Sequence, residues 1–479
     1  MKKVENGCHL YININNLNEI VKKEETKYDD LKRTFHALNT WISSIELFGK
    51  NYNNFVPEKF TTSRIHFYFK ESEDVPKDCL NMVEMVVLAN RLSSHFLNIG
   101  KYNQMIRFQI GSGMDYGDFT EFKFQDDDSE IDEMTTIGSP ANRAAKLQSK
   151  CGNGKIIISD KVYDLLPSCV KQAFYKTVDI SKFVAKKYDS LTAYESSIEH
   201  IVRVLGEEYL VKEKRIFDFA TDTANKTNFK DINFVDARAQ IDFSELSSVH
   251  PKDIDPAVVL YSDIRGFTNK VDHGRLSEMK ELTQKVLQSM YSAVKQEDGT
   301  HVQFQGDRES AIFNKETNRG DFAIRSIFCA MRMLEKIDKI NESGLYSKVD
   351  IGIGCALGRV FATRIGLRGE KFNVILSETV TEADKTEDEV AGVGSCNPKT
   401  EIAITKDLYD YISKMHTTQS NNIKEIFTER IVDGKKYYVT TMRLSKYRQQ
   451  LDKKQQDKNA IEAKNNKGIK PWGVYRVDF

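Results

Sequence analysis

Asp263 and Asp307 are the residues of this chain whose types and setting could do chemistry. The first ends an apolar run, Val258 to Tyr261, that breaks into Ser262-Asp263 and then Arg265-Gly266-Phe267-Thr268. That is the pattern of a buried strand closing in a tight turn. The second follows Gly306 between alternating stretches, Val302 and Phe304 before it and Ala311, Ile312 and Phe313 after it. This reads as a hairpin whose turn is the Gly-Asp step. Either aspartate alone reads as an ordinary turn residue. Brought together, two carboxylates repel unless a proton or a cation lies between them. Hard oxygen donors favour magnesium or manganese, with substrate phosphates completing the shell. The chemistry such a pair supports is two-metal phosphoryl transfer.

The elements that must position these residues occur twice. The N-terminal half reads strand (Cys8 to Ile14), helix (Tyr28 to Phe48), strand (Arg64 to Phe69), helix (Met82 to Phe96) and strand (Ile106 to Ile110), then a glycine-punctuated turn. From Asp255 the order returns: a strand to Asp263, a helix over Leu276 to Val294, the Asp307 hairpin, a helix over Phe322 to Ile340 and a strand over Val349 to Ile353. Gly111, Gly113 and Gly117 match Gly352, Gly354 and Gly358, and the Lys155 to Ser159 run matches Glu401 to Thr405 at nearly the same offset. An internal duplication explains this. The expected organisation is an N-terminal unit over 1–195, its final strands and a linker over 196–252, a C-terminal unit over 253–445, and a polar, solvated tail over 446–479.

At 479 residues the chain has room for two to three well-filled cores. Lys plus Arg and Asp plus Glu each total 70, so no basic surplus points to nucleic acid or an anionic membrane, and a small-molecule substrate is expected. The 7 cysteines are scattered without a CxxC pair, which argues against a disulfide framework or a zinc site and suits a reducing compartment. No apolar run approaches the roughly 20 residues of a membrane span, and the start lacks a signal-peptide core, so a cytoplasmic location is expected.

These stretches resemble class III nucleotidyl cyclases, in which the first metal aspartate lies in a strand-end pattern like YSDIRGFT and the second in a hairpin like FQGDRESAIF. The resemblance covers both halves. It implies an α+β fold of two tandem ferredoxin-like (βαββαβ) cyclase units forming an internal pseudo-dimer. Units of that family pair head to tail, so one unit's metal aspartates face the other's base-reading and transition-state residues. Asp263, Ile264 and Asp307 are the implied holders of two manganese or magnesium ions. In the N-terminal unit Asn13 and Ser63 stand at the aspartate positions, and neither replaces a bridging carboxylate.

That unit instead keeps the complementary residues. In IGSPANRAAKL, Asn142 matches the family's ribose-orienting Asn and Lys146 stands where the family has Arg, while the C-terminal LSETVTEADK has Thr381 and Lys385 there. Lys59, four residues before Ser63, matches the base-reading Lys; the C-terminal unit has Gln303. Thr135, three before Gly138, is its implied partner. One composite site follows, with the second site dead. A lysine cannot make the planar two-point contact of a guanidinium, which leaves Arg143 as an alternative to Lys146.

The implied reaction is attack of a nucleoside triphosphate's 3′-oxygen on its own α-phosphorus, with amides of Ile264, Arg265, Gly266, Phe267 and Thr268 holding the outer phosphates. Lys59 can donate to adenine N1 or a pyrimidine carbonyl, and the Thr135 hydroxyl can donate or accept, so the pair leaves the base open. A soluble tandem with Arg308 after the Gly-Asp step is similar to the pyrimidine cyclases of bacterial antiphage systems. That implies UTP or CTP as substrate and a separate effector for the cyclic product; adenylate cyclase is the alternative. A catalytically silent nucleotide-binding module is a further reading, and a polymerase or diguanylate cyclase lacks its GGDEF-like stretch here. Oligomerisation beyond the tandem stays open.

Overall fold

The computed structural model describes residues 5–28, 31–61, 63–102, 107–126, 129–177, 192–228, 231–236, 239–267, 276–367, 371–392 and 400–466. Two mixed sheets with helices against them form two units of one design. The first unit runs β1 (Glu5–Ile14), α1 (Leu17–Tyr28), α2 (Lys32–Gly49), β2 (Phe55–Thr61), β3 (Arg64–Lys70), α3 (Val75–His95), β4 (Ile110–Asp126), β5 (Ser129–Ile137), α4 (Ser139–Ser149), β6 (Lys155–Ser159), β7 (Tyr175–Lys176) and β8 (Ala193–Ser197). Its strand order is β2-β3-β1-β4-β6-β8-β7, with β5 on β4. The second contains β9 (Val235–Asp236), which pairs β10, then β10 (Lys252–Ile264), β11 (Thr300–Gln305), β12 (Arg308–Phe313), β13 (Ile351–Ile365), β14 (Phe372–Leu376), β15 (Glu401–Thr405), β16 (Thr428–Val432) and β17 (Lys435–Thr440). Its order, β11-β12-β10-β13-β15-β17-β16 with β14 on β13, repeats the first.

The duplicated glycines have a packing role. A Cβ on Gly113 would lie 2.2 Å from the Gln148 amide of α4, and one on Gly354 would lie 2.3 Å from the Glu387 amide. In both units the helix after the long hairpin lies directly on its strand at this glycine, and a side chain there would lift it off.

The long hairpins join the units. Phe122, Phe124 and Ile137 of β4 and β5 are buried in the core of the C-terminal unit, with Val258, Phe304 and Val286. Phe361, Ile365, Val374 and Leu376 of β13 and β14 are buried in the N-terminal core, with Trp41 and Leu38. Each unit completes the other's apolar core, so the internal pseudo-dimer is an exchange of arms and not a contact of finished surfaces.

Some elements differ from the sequence expectation. The helix expected from Tyr28 to Phe48 is α2, which begins at Lys32, with an unexpected α1 before it, and the strand expected over Val349 to Ile353 extends to Ile365 as an arm. The helix Glu207–Lys226 returns to the first unit, burying Tyr209, Ile216, Ala220 and Ala224 and fixing Glu213 on Arg91 at 2.5 and 2.9 Å. The tail is helical over Leu444–Asn466 and is anchored by buried Leu444 and Tyr447. Among the described residues no helix is long and apolar enough to cross a membrane.

Candidate active site

Asp263 is the penultimate residue of β10, opposite Gly352 of β13. Asp307 sits in the two-residue turn between Gln305 and Arg308, where Gly306 takes a φ of 69° that favours glycine. Because β12 pairs with β10, with Glu309 opposite Ser262, this turn folds back beside the end of β10. The two carboxylates meet there. The Asp307 carboxyl is pushed well above the usual range, by burial first and by Asp263 second.

Around the pair lies a fixed ionic frame. Arg308 donates to Glu387 Oε2 (2.6 Å) and to Asp384, with its guanidinium 5.3 Å from the Tyr261 ring centre. Arg265 Nη2 donates to the Glu387 and Ala391 carbonyls (2.5 and 2.6 Å) and meets Glu387 Oε1 at 2.8 Å. Burial and Asp263 push the Glu387 carboxyl up to about 8 although both arginines oppose this. Four carboxyl groups thus share two guanidiniums, a deficit of positive charge that a divalent cation on Asp263, Asp307 and the Ile264 backbone fits. Among the described residues no three His, Cys, Asp or Glu side chains are grouped to hold a metal ion.

The N-terminal counterpart is neutral. Ser63 Oγ donates to Asn13 Oδ1 (2.8 Å), and Asn13 Nδ2 donates to Asn15 Oδ1 (2.7 Å). Hydrogen bonds occupy the place where the other unit has opposed carboxylates.

The two hairpins meet across the interface. Gln303, four residues before Asp307, donates to the carbonyl of Phe60, the neighbour of Lys59 (2.9 Å). Tyr11 is raised by burial, with the charges of Glu58 and then Asp307 adding to it, which brings Asp307 within electrostatic range of the N-terminal sheet. Lys59 Nζ donates to Thr135 Oγ1, and both residues are buried. A cavity of about 990 Å³ is lined by Lys59, Glu58, Glu133, His301, Gln303 and Asn373 among others. It does not include Asp263 or Asp307 in its wall.

Asn142 lies in the first turns of α4, and its Nδ2 is buried with no hydrogen-bond partner among the described residues, a donor suited to a ligand oxygen. Lys146 occupies the last turn of α4, half-buried. Arg143 is engaged: its Nε donates to the fully buried Asp115 Oδ2 at 2.6 Å, which draws it onto β4 and away from the role open to Lys146. One expectation is corrected. The Arg265 amide donates to the Asp350 carbonyl (2.8 Å), so it cannot hold phosphate. Gly266 and Phe267 follow it at the turn, and Thr268 lies outside the described residues.

Several buried polar residues at the interface escaped sequence reasoning. Glu58 takes hydrogen bonds from Thr136 and an ion-pair contact from His66, and His301 bridges Glu309 (2.7 Å) and Glu133 of the other unit (3.0 Å). Acidic and histidine residues inside strands otherwise read as apolar were the available signal.

Paired strand-end carboxylates on exchanged ferredoxin-like units define a class III cyclase architecture. Residues 249–443, which span the C-terminal unit, match the family described as adenylate and guanylate cyclase catalytic domain. A uridylate cyclase of Burkholderia cepacia is 24% identical over 146 residues, 29% of this chain and 62% of that protein. A class III adenylyl cyclase-like ATP-binding protein from Pseudomonas aeruginosa shares the fold over 87% of this chain and 88% of its own, at 18% identity and a TM-score of 0.65.

Proposed function

We propose that the chain converts a nucleoside triphosphate into a 3′,5′-cyclic nucleotide and pyrophosphate at one composite site between its units. The observation that carries this is the asymmetry of the two strand ends: opposed Asp263 and Asp307 in one unit, hydrogen-bonded Asn13 and Ser63 in the other. Divalent ions bound at the aspartates, two by family resemblance, would lower the pKa of the 3′-hydroxyl and neutralise the leaving pyrophosphate. Asn142 orients the ribose through its unpartnered Nδ2. Lys146 supplies charge near the transferring phosphoryl, while Gly266 and Phe267 receive outer phosphates through their amides. The helix Glu378–Lys385, the C-terminal copy of α4, contacts α1 of the opposite unit, which supports a matching approach of α4 to the C-terminal unit.

Lys59 and Thr135 read the base. The uridylate cyclase relative favours a pyrimidine triphosphate, UTP or CTP; the fold shared with a protein described as ATP-binding keeps ATP as the second reading. The cyclic product acts on a separate effector in the cytoplasm, as in antiphage signalling. The test is full-length protein with manganese and each of the four triphosphates separately, with products identified by mass. A cyclic pyrimidine nucleotide is the expected product. Calorimetric binding without turnover of any triphosphate would instead make the chain a silent nucleotide-binding module.

A further inference from the structure

We propose that Glu58 is a positioning residue that fixes the direction of the Thr135 hydroxyl and so makes the base pocket select cytosine or adenine over uracil or guanine. This rests on the reading of Lys59 and Thr135 as the base-reading pair and sharpens it to a substrate class.

A lysine ammonium only donates, so the bond between Lys59 and Thr135 makes the Thr135 oxygen the acceptor. The hydroxyl proton must therefore point elsewhere, and Glu58 Oε1 lies 3.4 Å from Thr135 Oγ1. Glu58 is surrounded by donors alone: the Thr136 amide (3.2 Å), the Thr136 hydroxyl (2.7 Å) and His66 Nδ1 (2.9 Å). The second nitrogen of His66 meets His9 Nδ1 at 3.0 Å, which holds the ring in place. Burial would raise the Glu58 carboxyl, yet His66, Lys59 and Thr136 hold it down at about 2, so near neutral pH it accepts and never donates. Thr135 then keeps its proton on Glu58 and, with one lone pair taken by Lys59, turns the other to the ligand.

The pair thus offers a donor from Lys59 and an acceptor from Thr135. The short Thr135 hydroxyl, 2% exposed, is reached by a projecting exocyclic amine, and the long Lys59 chain reaches a recessed ring nitrogen. Cytosine N4 and N3, or adenine N6 and N1, meet both demands in one placement. Uracil and guanine carry a carbonyl where the amine stands, aimed at that lone pair. A freely rotating hydroxyl would accept either set.

The experiment compares binding and turnover of CTP, UTP, ATP and GTP by the full chain with manganese, for the natural protein, Glu58→Gln and Thr135→Val. The natural protein should favour CTP over UTP, and ATP over GTP, by about tenfold or more, since a mismatched polar contact leaves buried groups unpaired. In Glu58→Gln the amide can donate to Thr135 and turn its proton outward, so the CTP to UTP ratio should fall about tenfold. Turnover of the retained substrate should change far less than that ratio, a split that mere structural damage does not give. If Glu58→Gln does not fold, Thr135→Val must erase the preference by itself. A natural preference for UTP or GTP, or a ratio untouched in either folded variant, overturns the assignment of Glu58. Base-selective binding without turnover would leave Glu58 standing and remove the catalytic reading; turnover without base discrimination would do the reverse.

Discussion

Asp263→Asn and Asp307→Asn should each lower cyclic-nucleotide formation on the order of 10³-fold or more, because each removes a charge on which several kcal/mol of metal-assisted stabilisation depends. Asparagine keeps the shape of aspartate, so the strand end and the Gly306 turn stay intact. Removing one of two facing carboxylates also relieves a repulsion that exists without metal, since burial and Asp263 already push Asp307 upward. The variants should therefore be at least as stable as the natural protein in chelator. Adding manganese should raise the melting temperature of the natural protein and leave theirs nearly unmoved. Asn13→Ala, at the matching strand end, loses only bonds to Asn15 and Ser63 and should stay within about twofold in rate. Comparable loss from Asn13→Ala would sink the single-site arrangement, as would normal activity in either aspartate variant.

How much of this site could be read from the chain follows from the range over which its parts act. The Asp263 strand end and the Gly306-Asp307 turn are local patterns, legible because a buried strand and a tight turn each need their residue types within a few positions. The duplication was legible for a similar reason: Gly113 and Gly354 must both admit a helix at close range, and that demand leaves a glycine in each copy. The exchange of arms was not. Phe122 and Phe124 of β4 look like any alternating strand until one sees that their partners lie in the other unit. Arg265 shows a different failure, since its amide is taken by Asp350, a residue beside it in space and remote in sequence. The Glu58, His66 and His9 chain could not be assembled from the sequence, because three strands supply it; single acids or histidines inside strands signal buried polar groups but not which of them meet.

Replacing His301 by alanine should destabilise the protein by about 3–5 kcal/mol at neutral pH, through the interface and not through the active-site aspartates. His301 Nδ1 meets Glu309 at 2.7 Å and its Nε2 meets Glu133, on the arm of the N-terminal unit, at 3.0 Å. Glu133 also takes the Phe304 amide at 2.8 Å, which ties the exchanged β5 to β11. Although burial alone would lower it, the two carboxylates raise the imidazole to about 10, so it is a cation at neutral pH. The partners respond differently. Glu133 is held low, because His301 overcomes its burial, whereas Glu309 is pushed up to about 7 because burial and the Glu133 charge outweigh the same cation. Since the folded His301 lies above the ordinary histidine value of about 6.5, its contribution is complete below that pH and drains away as pH rises through about 10. Glu309, also raised, opposes folding increasingly as pH climbs from about 4.5 through about 7. Without His301 both carboxylates would be buried and unbalanced, and mild acid would relieve them by protonation. Urea unfolding of His301→Ala should therefore show a deficit largest near pH 7, clearly smaller near pH 5 and smaller again toward pH 10. Adding Glu133→Gln and Glu309→Gln to the same chain should recover part of it, as removing the stranded charges predicts. A deficit below about 1 kcal/mol at neutral pH, or one independent of pH, would show that apolar arm exchange alone holds the units together.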